Sequence, residues 1–127
     1  MNVAVIGLGY IGLPTAALLA EGGHEVHGYD VDARLRDDLR AGNLHIAEDG
    51  VRTIVHDALE SGRLHVADCV PDAQAYIICV PTPAHEGHAV LTFVEKAASA
   101  VAVAAPSGAL IVVESTVPPG TTDRVIE

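Results

Sequence analysis

The segment Gly7-Leu8-Gly9-Tyr10-Ile11-Gly12 constrains this chain more than any other feature. It follows the β-branched run Asn2 to Ile6, which reads as a buried strand. It opens an Ala- and Leu-rich stretch, Tyr10 to Ala20, that reads as a helix stopped by Gly22-Gly23. Pro14 falls in the first turn of that helix, where a missing N–H costs nothing. Three glycines at this spacing between strand and helix form the fingerprint of dinucleotide binding. Gly7 is expected to permit the tight turn, Gly9 to let backbone approach a pyrophosphate, and Gly12 to let helix pack closely on strand. The helix start then offers unpaired N–H groups and a positive dipole to phosphates.

The rest of the chain repeats the strand–helix alternation. Strands are expected at Glu25 to Tyr29, Leu64 to Ala67, Ala75 to Val80 and Ala109 to Val113. Helices are expected at Val31 to Arg40, Glu48 to Glu60 and Leu91 to Ala104, with another opening near Thr121. Apolar strands separated by helices imply a parallel sheet covered on both faces. The expected fold is therefore α/β, a Rossmann-like doubly wound parallel sheet flanked by helices, with residues 1–127 forming a single domain.

Charge narrows the partners. Seventeen acidic residues against seven basic ones give a formal charge of −10, with Lys96 the only lysine and the arginines scattered. Binding to a nucleic-acid backbone or an anionic membrane surface needs clustered Lys and Arg, so neither is expected. No apolar run approaches the ~18 residues of a membrane span. The first residues lack the basic region and cleavage site of a signal peptide, so a cytoplasmic location is the expectation.

Candidate site residues gather at predicted strand ends. Asp30 ends the second strand, where a carboxylate accepts hydrogen bonds from ribose hydroxyls and repels a 2′-phosphate, favouring NAD over NADP. Arg34 either neutralises such a phosphate or flanks the adenine or ribose edge, and Asp32 is expected to cap the second helix. Val80-Pro81-Thr82-Pro83 fixes the exit of a central strand and carries the Thr82 hydroxyl towards the ligand crevice, or serves only as a rigid turn. Glu114-Ser115-Thr116 ends the next strand, where Glu114 or Thr116 faces the reactive end of a cofactor; Thr121 or Thr122 is expected to cap the following helix. Cys79, within the apolar run Tyr76 to Val80, is expected to be a buried, inert thiol. Seven histidines are scattered; the one close pair, in His85-Glu86-Gly87-His88, reads as a surface loop, and no metal site is expected.

Three motifs in this order resemble the UDP-glucose/GDP-mannose dehydrogenase family: residues 7–16, Val80-Pro81-Thr82-Pro83, and residues 114–121. Within it, Gly42-Asn43-Leu44-His45-Ile46-Ala47-Glu48 is most similar to the UDP-N-acetyl-D-mannosamine dehydrogenases. The resemblance implies an N-terminal NAD-binding domain of an enzyme of polysaccharide biosynthesis. That enzyme oxidises the C6 alcohol of a UDP-sugar to a uronate with two NAD, through an aldehyde and a cysteine thioester. By matched position Gly7, Gly9, Tyr10, Ile11, Gly12, Asp30, Arg34, Pro81, Thr82 and Thr116 contact NAD, with Thr116 and Glu114 auxiliary near the nicotinamide. The family's catalytic Cys and Lys, its central dimerisation helix and its sugar-nucleotide domain lie beyond the matched region. The resemblance therefore implies a homodimer for the full-length enzyme, no catalytic residue in this chain, and no turnover by the chain alone. The alternative is a regulatory nucleotide-binding module of the kind that gates potassium transport. It shares the glycine loop and late Asp but accounts for neither later motif.

Overall fold

The computed structural model describes residues 1–126. The main sheet is parallel and five-stranded, in the order β3-β2-β1-β4-β7. Its strands are β1 (Asn2–Ile6), β2 (Glu25–Tyr29), β3 (Leu64–Val66), β4 (Ala75–Ile78) and β7 (Leu110–Val113). Between and after them run α1 (Gly12–Glu21), α2 (Ala33–Arg40), α3 (Asp49–Glu60), α4 (Thr92–Ala104) and α5 (Thr121–Ile126). β1 is central because it is apolar on both faces: Val3 to Ile6 are all buried. It pairs with β2 from Asn2↔Glu25 to Ile6↔Tyr29 and with β4 from Val3↔Ala75 to Ile6↔Ile78.

Alternation along β1 feeds two cores. Val5 packs with Leu13, Val26, Leu39, Val55 and Leu64 on one face. Ala4 and Ile6 pack with Tyr76, Ile78, Ala97 and Val101 on the other. Tyr76 is fully buried, yet its hydroxyl accepts from the Ala73 N–H and donates to the Pro71 carbonyl, both at 2.9 Å. A large ring thus fills the core without an orphaned polar tip. The doubly wound parallel sheet is as the sequence leads one to expect. No helix among the described residues is long and apolar enough to cross a membrane.

Element boundaries differ in ways that matter to the site. α1 begins at Gly12 rather than Tyr10, leaving Tyr10 and Ile11 in the turn. α2 begins at Ala33 because Asp32 caps it, its Oδ1 accepting from the Arg34 and Leu35 N–H groups. β4 stops at Ile78; Cys79 N still donates to Ile6 O at 2.7 Å, and Val80-Pro81 then leave the ladder. Residues 85–88 are no plain loop. β5 (Ala84–His85) and β6 (His88–Ala89) form a hairpin whose turn residues Glu86 and Gly87 both have positive φ. Thr121 caps nothing: it is the first residue of α5, buried, and its hydroxyl donates to the Pro118 carbonyl at 2.7 Å.

Candidate functional site

All five strands point the same way, so their exits share one edge of the sheet. The order reverses between β1 and β4, the switch point where open α/β sheets leave a crevice. A groove of about 480 Å³ lies there. Gly7, Gly9, Tyr10 and Ile11 line it from the β1 exit, Asp30 from β2, Cys79 to Thr82 from β4, and Glu114 to Thr116 from β7. Sequence positions up to 109 apart thus meet in one cleft, including the motifs at Val80 and Glu114.

The three glycines do different physical work. Gly7 has φ +95°, and a Cβ there would stand 2.5 Å from the Cys79 carbonyl oxygen. Gly12 is buried, and a Cβ on it would lie 1.8 Å from the Gly7 carbonyl oxygen. These two let α1 and β4 close on the loop. Gly9 is the opposite case, with nothing within 4 Å of where its Cβ would be. The helix that follows starts without a side-chain cap.

Asp30 is anchored rather than free. Its Oδ2 accepts from the Leu8 N–H at 2.8 Å and its Oδ1 from the Asp32 N–H at 2.9 Å. Each carboxylate oxygen keeps a lone pair for a further donor. At the other end of the groove Glu114 accepts from the Cys79 thiol at 3.0 Å and from the Thr15 hydroxyl at 3.4 Å. The Ser115 hydroxyl is taken up by backbone, donating to the Val80 carbonyl at 2.8 Å. Tyr10 is 70% exposed at the groove's lip, its ring edge-on to His45 with centroids 5.4 Å apart.

Two sequence-derived candidates stand outside the groove lining. Gly12 is behind it, and Arg34 projects from the exposed first turn of α2. Cys79 corrects an expectation: its thiol is half-buried and reaches the groove instead of being sealed in the core. Burial, then the hydrogen bond and negative charge of Glu114, push that thiol far above its ordinary range, so it stays protonated.

Sequence reasoning missed several participants. Arg36 lies over the Tyr29 ring at 5.6 Å and donates to the Asp30 carbonyl at 2.7 Å, steadying the β2 exit. Nothing in its spacing marks it. Gly28 was findable: a glycine inside a strand signals close approach, and a Cβ there would meet Leu8 Cδ2 at 2.7 Å. His27 and His65, scattered in sequence, stack at 5.0 Å because parallel register pairs them. Among the described residues no group of three or more His, Cys, Asp or Glu is placed to hold a metal ion. A second, more apolar slot of about 320 Å³ lies beyond Asp30, with Tyr29, Val31, Val80, Phe93 and Lys96 among its walls.

Comparison with known proteins agrees with this geometry. The model of the UDP-glucose/GDP-mannose dehydrogenase family, NAD binding domain, matches residues 1–127. The chain is 46% identical to the UDP-N-acetyl-D-mannosamine dehydrogenase of Methanococcus maripaludis, with 99% of this chain and 31% of that protein aligned. It is 40% identical to the enzyme of the same name from Escherichia coli, over 99% and 30%. Its backbone superimposes on the UDP-D-ManNAc dehydrogenase of Pyrococcus horikoshii with a TM-score of 0.93 and 39% identity, covering 98% of this chain and 31% of that one. For the GDP-mannose dehydrogenase of Pseudomonas aeruginosa the TM-score is 0.86 at 30% identity, over 99% and 31%. The chain spans about a third of the length of these relatives. The gating-module alternative finds no support in this match. The chain belongs to the UDP-glucose/GDP-mannose dehydrogenase family, as its NAD-binding domain.

Proposed function

We propose that residues 1–127 are the cofactor domain of a nucleotide-sugar 6-dehydrogenase acting on a UDP-sugar, UDP-N-acetylmannosamine foremost. The observation that carries the reading is the pairing, in one groove, of an uncapped helix start at an open Gly9 with the anchored carboxylate of Asp30. That combination fits NAD. A pyrophosphate takes the N–H groups of Tyr10, Ile11 and Gly12 at the turn into α1, since the Leu13 and Thr15 N–H groups already donate to the Gly9 and Ile11 carbonyls; the space at Gly9 is what a side chain would have filled. Asp30 receives the ribose hydroxyls and repels a 2′-phosphate. The apolar slot beyond Asp30 suits the flat face of adenine. Tyr10 and Ile11 flank the ligand at the loop, Pro81 and Thr82 bound it at the β4 exit, and Thr116 and Glu114 stand towards the nicotinamide. Arg34 approaches the adenosine end only by reaching back from α2.

When bound, NAD supplies hydride acceptance. The chain's own contribution is to bind and orient it. Neither cysteine here serves as the nucleophile: the Cys79 thiol is held protonated against Glu114, and Cys69 lies on the surface away from the groove. A full-length protein that supplies the nucleophile and the sugar site, works as a homodimer in the cytoplasm and serves polysaccharide biosynthesis completes the proposal. The test is a chimera in which residues 1–127 replace the matching third of the Methanococcus maripaludis enzyme. With UDP-N-acetylmannosamine and NAD it is expected to produce NADH, while the 127-residue chain alone produces none. A folded chimera that binds NAD and oxidises no UDP-sugar would overturn the reading.

A further inference from the structure

We infer that Glu114 makes the groove discriminate between the two redox states of its cofactor, favouring the cationic oxidised form over the neutral reduced one. The inference rests on the reading of the groove as an NAD site. Among the described residues that line the groove only Asp30 and Glu114 carry charge, and both are acidic; none is Lys or Arg. They end β2 and β7, three strand spacings apart, roughly 14 Å at the usual interstrand distance.

The two carboxylates are held differently. Asp30 is tied by backbone N–H groups beside the glycine loop, which places it at the ribose end. Glu114 is held by two neutral side-chain donors, the Cys79 thiol and the Thr15 hydroxyl. No basic side chain pairs with it among the described residues. Its orientation is therefore set while its charge stays uncompensated.

A dinucleotide with its pyrophosphate at α1 and its adenosine at Asp30 has its other base directed towards β7. The oxidised nicotinamide ring carries a positive charge, and gain of a hydride removes it. A fixed negative charge attracts the first form and is indifferent to the second. Cys79 and Thr15 act here as positioning residues, and Glu114 as the residue that sets specificity. An enzyme that consumes two NAD in succession needs the reduced form to leave between steps, and Glu114 favours that exchange.

The experiment is calorimetric titration of the chain with NAD and with NADH, repeated on Glu114→Gln, Glu114→Asp and Asp30→Asn. Thermal melts of each variant establish that it is folded. Glu114→Gln is expected to lower the ratio Kd(NADH)/Kd(NAD) by about threefold to tenfold, through weaker NAD binding. Glu114→Asp keeps the charge and keeps the ratio near wild type. Asp30→Asn weakens both forms alike, since their adenosine halves are identical. An unchanged ratio in Glu114→Gln, with both cofactors still bound, overturns the inference and leaves the NAD reading intact. Failure of the wild-type chain to bind either form overturns both.

Discussion

Two helices leave the same edge of the sheet, and they begin differently. α2 opens on Asp32, whose carboxylate accepts from the Arg34 and Leu35 N–H groups, so its first turn is satisfied from within. α1 opens from a glycine-rich loop with no side-chain cap, and its start faces an open groove. A capped start has no use for a ligand. A bare one leaves donors and a positive dipole for an anion. α3 and α4 also start without a side-chain cap, so what sets α1 apart is that its uncapped start adjoins the groove at the open Gly9. The three glycines leading into α1 divide the labour in the same way: Gly7 and Gly12 serve packing, Gly9 serves the groove.

That comparison can be broken by substitution. The largest effect is expected from Gly12→Val, which forces a side chain into the Gly7 carbonyl now 1.8 Å from the Cβ position. Urea denaturation should show a loss of about 3 kcal/mol or more. Gly9→Val is the sharper test because its Cβ meets no neighbour. Stability should change by about 0.5 kcal/mol or less, whereas NAD affinity should fall by about a hundredfold. A Gly9 variant that destabilises the fold and still binds NAD would reverse the assignment. Asp32→Ala is the smallest and the mirror image. It should cost about 1 kcal/mol in a thermal or urea melt and leave NAD affinity unchanged, since it removes only a cap.

How far the molecule could be read from its residues follows the range of the interactions involved. The main strands β1, β4 and β7 were legible as short apolar runs, with β1 and β4 buried on most positions of both faces, while β2 and β3 alternate apolar and polar residues. The groove was legible because motifs at strand ends must converge wherever a parallel sheet aligns its exits. The Asp32 cap follows from side-chain chemistry alone. The rest depended on distance in space. Thr15 and Glu114 lie 99 positions apart, and no local pattern announces that the Thr15 hydroxyl and the Cys79 thiol both donate to the Glu114 carboxylate. Arg36 reaches Asp30 only after α2 is docked. The hairpin at 84–89 hides because its turn places Glu86, rather than Asn or Asp, at φ 51°. His27 and His65 meet through strand register, which alternation does not reveal for so short an edge strand.

The central claim is that a bare α1 start and an anchored Asp30 together form a site for NAD. The most direct test is parallel calorimetric titration of the wild-type chain and of Asp30→Asn with NAD and with NADP. The account predicts that the wild-type chain binds NAD at least about tenfold more tightly than NADP, and that Asp30→Asn narrows the gap by removing the charge that repels the 2′-phosphate. Equal affinities in the wild-type chain, or a preference that Asp30→Asn leaves unchanged, would contradict it.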